Sequence, residues 1–360
     1  MNKKIFYPSL LLYSIAIVYL AWTTPISPHE AKLFYSGDGV VHMLMLSGYQ
    51  FVGGLIGVRV FFLIIGFFSI FLYYEVSKIY LKQEADIYLS TFIYMLLPGI
   101  ITALTLANVS ILIIPLVLLF VVAYNHKFLW LEAMAMLFIF LIHDASIIFF
   151  VAIFLYGFLY KESSLVLLSG VFLSLFVLLD KGVAIGGRPS GYFADVFGLY
   201  AAIFSPLLFI YFFYTIYRVL LREEKNILWY ISFVALLVSL LLSVRQRIIV
   251  TDFAPYVVIS VVLMLDTFNN SLRIRLPEYQ KWYKMGYYTV MLLLIVSSFI
   301  IIFHKSFFYI MKNRQKHFAI KLYEPYWLAK ELKMKNIKCY NSPNKKIEYQ
   351  LRFYGIDKCR

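Results

Sequence analysis

The stretch Pro28-His29-Glu30-Ala31-Lys32-Leu33-Phe34-Tyr35 sets an imidazole beside a carboxylate, and Asp38 and His42 follow closely. Histidine exchanges protons near neutral pH, and a carboxylate does so when its surroundings favour it, so the segment carries the groups of a general base. Further along lie Leu106-Ala107-Asn108-Val109-Ser110, His143-Asp144, and a loop from Asp180-Lys181-Gly182 to Gly186-Gly187-Arg188-Pro189-Ser190-Gly191. Arg245-Gln246-Arg247 comes last, followed by Asp252 and Pro255-Tyr256. Guanidinium groups pair bidentately with phosphate and stabilise charge that develops on a leaving group. This mixture suits an anionic, phosphate-bearing substrate handled by acid-base chemistry. It does not suit a nucleotide phosphate loop, because Gly186-Gly187-Arg188-Pro189 lacks the P-loop spacing and the Lys-Ser or Lys-Thr that follows it.

The scaffold for these groups is set by composition. Of 360 residues, 62% are hydrophobic, 19% aromatic and only 14% charged, a balance that excludes a water-soluble domain. Apolar runs between short polar breaks predict eleven spans, at 6–23, 57–80, 87–105, 109–124, 128–142, 146–160, 164–179, 199–221, 227–243, 248–265 and 285–303. Unbroken apolarity without alternation predicts helices and excludes a barrel. The expected fold is therefore an all-α polytopic bundle of about 11 transmembrane helices, 1–304, with an outer loop at 24–56 that carries interfacial helices. The first run has the charged start of a signal peptide but no small-residue cleavage site, and reads as a retained span.

Charge orients the bundle. With the N-terminus in the cytoplasm, thirteen Lys and Arg fall in inner loops and six in outer loops or span ends, as the positive-inside tendency requires. All five polar constellations then lie at the outer face. An odd span count places the tail, 305–360, outside as well. That tail holds fourteen basic and four acidic residues, so +10 of the net +14 resides there. A basic segment beside a membrane predicts contact with the lipid bilayer rather than nucleic acid. Within it, 323–335 predicts an amphipathic helix with Trp327, Leu328 and Leu332 on one side, 337–340 a strand, and 347–354 a second element, a small α/β cap. Cys339 and Cys359, the only cysteines, pair in an oxidising compartment and stay as thiols in the cytosol.

The order of these features resembles the membrane glycosyltransferases of the GT-C fold, especially the protein O-mannosyltransferase and aminoarabinose transferase group. In that family a first span leads to an outer loop with an Asp-Glu-Ala-like motif and aromatics, the place held here by 26–35. A second span with an early arginine matches Gly57-Val58-Arg59-Val60, and a short turn between spans three and four matches Asn108. A late Arg-rich turn entering a span through Pro matches Arg245-Gln246-Arg247 to Pro255-Tyr256. The resemblance implies transfer of a sugar from a polyprenyl-phosphate donor to an acceptor at the extracytoplasmic face of the plasma (inner) membrane. It implies Glu30 or His29 as base, with Asp38 in support, and phosphate or sugar contacts from Arg245, Arg247, Arg188, Lys181, Asn108, Asp144 and Tyr256. Two departures stand out: His29 replaces the family's leading aspartate, and Asn108 replaces an acid. Both weaken the case for a divalent metal, and neither removes a base.

Simpler readings accompany these. Glu30 also fits an acid at the start of an interfacial helix opened by Pro28, Arg245 and Arg247 fit snorkelling to lipid phosphates, and His143-Asp144 fits a loop or capping pair. Competing functions are a polysaccharide polymerase or ligase, which would carry a larger late outer loop; a transporter, which would show inverted repeats and mid-membrane charges; and a non-catalytic relative, for which His29 and Asn108 argue.

Overall fold

The computed structural model describes residues 1–183, 186, 191–311 and 314–359. The described residues form helices α1 (Lys3–Thr23), α2 (Pro28–Ser36), α3 (Val40–Val52), α4 (Gly54–Tyr80), α5 (Glu84–Leu96), α6 (Pro98–Thr105) and α7 (Ser110–Asn125). They continue as α8 (Leu129–Ile142), α9 (Ile147–Tyr160), α10 (Ser163–Leu178), α11 (Phe193–Phe204), α12 (Pro206–Arg222) and α13 (Ile227–Arg245). The last are α14 (Ala254–Val258), α15 (Val261–Ile274), α16 (Pro277–Ile302), α17 (His304–Ile310), α18 (Ile320–Met334) and α19 (Lys345–Phe353). The chain divides into two compact units, one of Met1–Leu10, Ile65–Ile101 and Val109–Ser298, the other of Leu11–Ile64, Thr102–Asn108 and Phe299–Arg360.

The all-helical membrane character holds, and the span count changes. Among the described residues, five helical segments, α14 with α15 counted as one, are long and apolar enough to cross a bilayer, or seven if α5 with α6 and α11 with α12 each count as one broken span. The bends are 62° and 105°. Each break has a proline at the first position of the second helix, Pro98 and Pro206, where the missing N–H and the restricted preceding residue end the run before it. At the second break Ser205 is forced to φ 84°. Helices α7 to α10 have 14 to 16 residues, a rise of about 21–24 Å against about 30 Å of hydrocarbon. Each of those four predicted spans falls short of a full crossing.

In the first unit, packed helices satisfy their interior polar groups against one another. Ser69 Oγ meets Tyr94 OH at 3.1 Å and Tyr73 OH meets Ser90 Oγ at 3.2 Å, joining α4 to α5. Tyr200 donates to Ser239 Oγ at 2.9 Å, joining α11 to α13. Bonds of this kind in an apolar interior contribute roughly 0.6 kcal/mol each. By contrast, α16 leaves Trp282, Tyr288, Leu292 and Phe299 exposed, the face of a helix whose solvent is lipid.

In the second unit, α3 and α4 meet at two glycines. A Cβ on Gly48 would lie 2.2 Å from the Gly57 carbonyl oxygen, so only glycine permits this approach. The turn between the helices uses Gly53 and Gly54 at φ 71° and 61°. This crossing fixes the start of α4, whose second turn carries Arg59.

The tail belongs to the second unit and is helical. The residues expected as a strand, 337–340, make one isolated parallel bridge between Cys339 and Asp357, and 345–353 form α19. That second element is a helix, started at Asn344, whose side chain accepts from the Lys346 amide. Nor do the apolar residues of α18 share one side. Leu332 and Ala329 pack with Leu351 and Ile356, whereas Trp327 packs with Phe308 and Tyr323. Cys339 and Cys359 are joined in a disulfide that closes the bridge region. A crosslink over a separation of 20 residues stabilises by about 3 kcal/mol through the unfolded chain. Denaturant unfolding of the full-length Cys339→Ser, Cys359→Ser protein is expected to show that loss.

A pH-sensitive cluster ties α17 to α18. His304 Nδ1 donates to the Ile301 carbonyl at 2.8 Å, leaving Nε2 to accept from Tyr323 OH at 2.8 Å. His317 Nδ1 accepts from the Ala319 amide at 3.0 Å, so its Nε2 donates to the His304 carbonyl at 3.1 Å. Both rings are thus fixed as neutral tautomers. Burial holds both below the usual histidine range, aided at His304 by the Lys305 charge. A proton must then bind more readily to the unfolded chain. The stability this supplies is present above about pH 6.5 and lost as pH falls towards the depressed folded values. Unfolding titrations between pH 7.5 and 5 are expected to slope by up to about 1.4 kcal/mol per pH unit for each histidine, and His317→Gln to remove one share.

Candidate functional site

The polar centre of the second unit is Glu30, and its surroundings follow from local sequence. Ser27 is the N-cap of α2 and Pro28 its first residue, so the missing proline N–H falls where no helical partner exists. Ser27 Oγ accepts from the Glu30 amide at 3.1 Å, and Glu30 Oε2 accepts from the Ser27 amide at 2.8 Å, a reciprocal capping box. Arg59 grips the same carboxylate with both arms of its fork, Nε to Oε1 and Nη2 to Oε2, each at 2.8 Å. The Ala107 amide adds a fourth bond, to Oε1 at 2.8 Å. A carboxylate offers about four lone-pair sites. All are filled here.

Arg59 is equally complete. Its Nη1 donates to the Ala21 and Thr24 carbonyls at 2.8 and 2.7 Å, and Nη2 to Pro25 at 3.0 Å. These are carbonyls at and just after the C-terminus of α1, which lack helical partners and would otherwise be stranded. With the two bonds to Glu30, five donors make five bonds. Both side chains are buried, at 0% and 1% exposure. Burial alone raises the Glu30 carboxyl, but the Arg59 charge and hydrogen bonds and the Ser27 and Ala107 amides outweigh it and hold it below the usual glutamate range. So placed, the Glu30 carboxylate has its acceptor sites occupied by four N–H groups. It fixes α2.

The tail closes this arrangement. Gln350 of α19 donates to the Ile26 carbonyl at 2.8 Å, and the Ile26 amide donates to Tyr354 OH at 3.0 Å. Phe34 and Phe353 rings meet edge-on at 5.7 Å. At the surface of α2, His29 is exposed beside the buried Glu30, as are Lys32 and Ser36. Asp38 is exposed just after α2, and Asn108 is half-buried next to Ala107.

The first unit holds the other candidates. His143 is buried, with Nδ1 3.3 Å from Tyr256 OH and Nε2 3.6 Å from Asp252 Oδ1. Its side chain makes no cap. Asp144 is exposed and pairs with Lys181 at 3.5 Å, and Lys181 also lies 5.3 Å above the Phe140 ring. Arg245 ends α13, and Gln246 Oε1 accepts from the Gly186 amide at 2.6 Å. Arg245 and Arg247 are exposed. Arg188 lies outside the described residues. Among the described residues, no group of three or more His, Cys, Asp or Glu is placed to hold a metal. Sequence reasoning missed the Ala107 amide, Gln350 and Tyr354 as partners of this region. A backbone amide has no sequence signal, and the tail's contact with 26 spans more than 320 residues.

No family model matches the chain, and no curated protein matches it. Among solved structures it is similar to ArnT from Cupriavidus metallidurans in the apo state, at 10% identity, over 97% of this chain and 75% of that one, with a TM-score of 0.47.

Proposed function

We propose that this chain is a membrane glycosyltransferase that moves a sugar from a polyprenyl-phosphate donor to an acceptor at the extracytoplasmic face. One observation carries the reading. Three segments matched to the family pattern by sequence, 26–35, Arg59 and 107–108, are brought together in one unit around a single buried carboxylate. A helix built to be held rigid beside a span end is what a positioned base requires.

The roles divide accordingly. Glu30 positions α2, and His29 is the base. His29 accepts the proton of an acceptor hydroxyl or amine as that oxygen or nitrogen forms its bond to the anomeric carbon. The bond from that carbon to the phosphate oxygen breaks, and its electron pair leaves with the phosphate. Arg245, Arg247 and Lys181 are the cations assigned to the leaving phosphate. Asp38, Asn108, Asp144 and Tyr256 are assigned to the sugar and acceptor. The disulfide supports a tail in an oxidising compartment, and with it an outer site.

The test is release of polyprenyl phosphate from a panel of polyprenyl-phosphate sugars by the purified, reconstituted protein. Release with at least one donor, reduced at least tenfold in Arg245→Gln, Arg247→Gln, is expected. No release across the panel from the folded protein, in the presence of membrane acceptors, would favour the non-catalytic relative.

A further inference from the structure

The first unit carries a second polar recess at the opposite end of the α14–α15 run from Tyr256. Arg218 and Arg222 of α12 and Arg275 after α15 line a space of about 440 Å³. Arg218 is held by Glu223, through Nε at 3.0 Å, and by Ser271. Arg222 and Arg275 are exposed. Three guanidiniums against one carboxylate give the recess a formal charge of +2.

Next to this recess lies an apolar crevice of about 250 Å³ between α5, α12, α15 and α16, lined by Leu208, Met264, Phe268 and Tyr287 among others. Three features place the two side by side. Arg275 stacks at 4.2 Å on Tyr283, which lines the crevice. Tyr214 of the recess and Tyr211 of the crevice lie 5.9 Å apart. Ser271 of the recess stands one helical turn from Phe268 of the crevice. Inside the crevice wall, Tyr287 OH is buried without a hydrogen-bond partner. Around the mouth, Tyr217 and Trp282 are exposed at 56% and 68%, the aromatic girdle that marks the level of lipid headgroups.

We infer that this recess and crevice form a binding site for an anionic glycerophospholipid, separate from the candidate transfer site and independent of the transfer reading. The phosphate sits on Arg222 and Arg275, whose charge selects an anionic headgroup over a zwitterionic one. An acyl chain lies in the crevice, whose lining is mostly apolar. A free anion would use the arginines and gain nothing from the apolar half.

Native mass spectrometry of the full-length protein in detergent tests this by titration with phosphatidylglycerol, phosphatidylcholine and inorganic phosphate. Phosphatidylglycerol is expected to bind at least tenfold more tightly than phosphatidylcholine. Excess phosphate is expected not to displace it. Arg222→Gln with Arg275→Gln removes two surface cations and should weaken it about thirtyfold. Gly286→Phe enters open space at the crevice wall, so it should also weaken binding while thermal unfolding without lipid stays unchanged. Equal binding of the two lipids, unaltered binding in both variants, or displacement by inorganic phosphate would each overturn the assignment, the last by making the recess a free-anion site.

Discussion

Replacing Arg59 by methionine is expected to destabilise the full-length protein by about 3–5 kcal/mol, the largest stability loss of any single exchange in the second unit. The size follows from what is stranded. Glu30 would stay buried as a carboxylate with two of its four bonds gone, and the Ala21, Thr24 and Pro25 carbonyls would lose their donors. Glu30→Gln should cost nearly as much, although it is almost isosteric. Every atom facing the Glu30 oxygens is a donor, so either orientation of the new amide sets an NH2 against N–H groups of Arg59, Ser27 or Ala107. Chemical or thermal unfolding in detergent reads both losses. The pair also predicts acid sensitivity. Glu30's carboxyl is held below its unfolded value near 4.5, so the stability it supplies is complete above that pH and lost as pH falls through the lower folded value.

The second large effect is on turnover. His29→Ala is expected to lower donor cleavage about 10²- to 10⁴-fold, the usual contribution of a positioned general base. Its stability loss should be far smaller than that of Arg59→Met or Glu30→Gln, because the side chain is exposed on α2 whereas those are buried. A retained rate in His29→Ala would return the proton to another group, with Asp38 next in line on the same unit.

How far these features could be read from the residues alone varies with the kind of signal. The helical membrane character was plain from uninterrupted apolarity. The pattern Ser27-Pro28-x-Glu30 is a local capping signature, and the simpler reading of Glu30 as the acid opening an interfacial helix matches its geometry on α2. Arg59 stood in the right place in the resemblance, yet nothing in a sequence says that residues 29 positions apart share two hydrogen bonds. The fourth bond, from Ala107, leaves no side-chain trace at all. Breaks at Pro98 and Pro206 were legible in principle, since a residue before proline resists the helical conformation. Hydropathy averaging runs across such points, so each bent pair was read as one span, and the excess of the eleven expected spans over the seven that length and apolarity support lies in the short helices α7 to α10. His143-Asp144 was read as a loop or capping pair, and it does lie in the short connection between α8 and α9. The contacts of His143 with Asp252 and Tyr256 lie more than 100 residues away.

The division of labour between two adjacent residues is the centre of this account, and one paired measurement addresses it. His29→Ala and Glu30→Gln are purified side by side, and each is assayed for unfolding free energy and for polyprenyl-phosphate release from the same donor. The expected result is a crossed pattern: His29→Ala keeps most of its stability and loses turnover, whereas Glu30→Gln loses stability and retains turnover in proportion to the fraction still folded. A Glu30→Gln protein that stays fully stable but is inactive, beside an active His29→Ala, would make Glu30 the base and contradict the account.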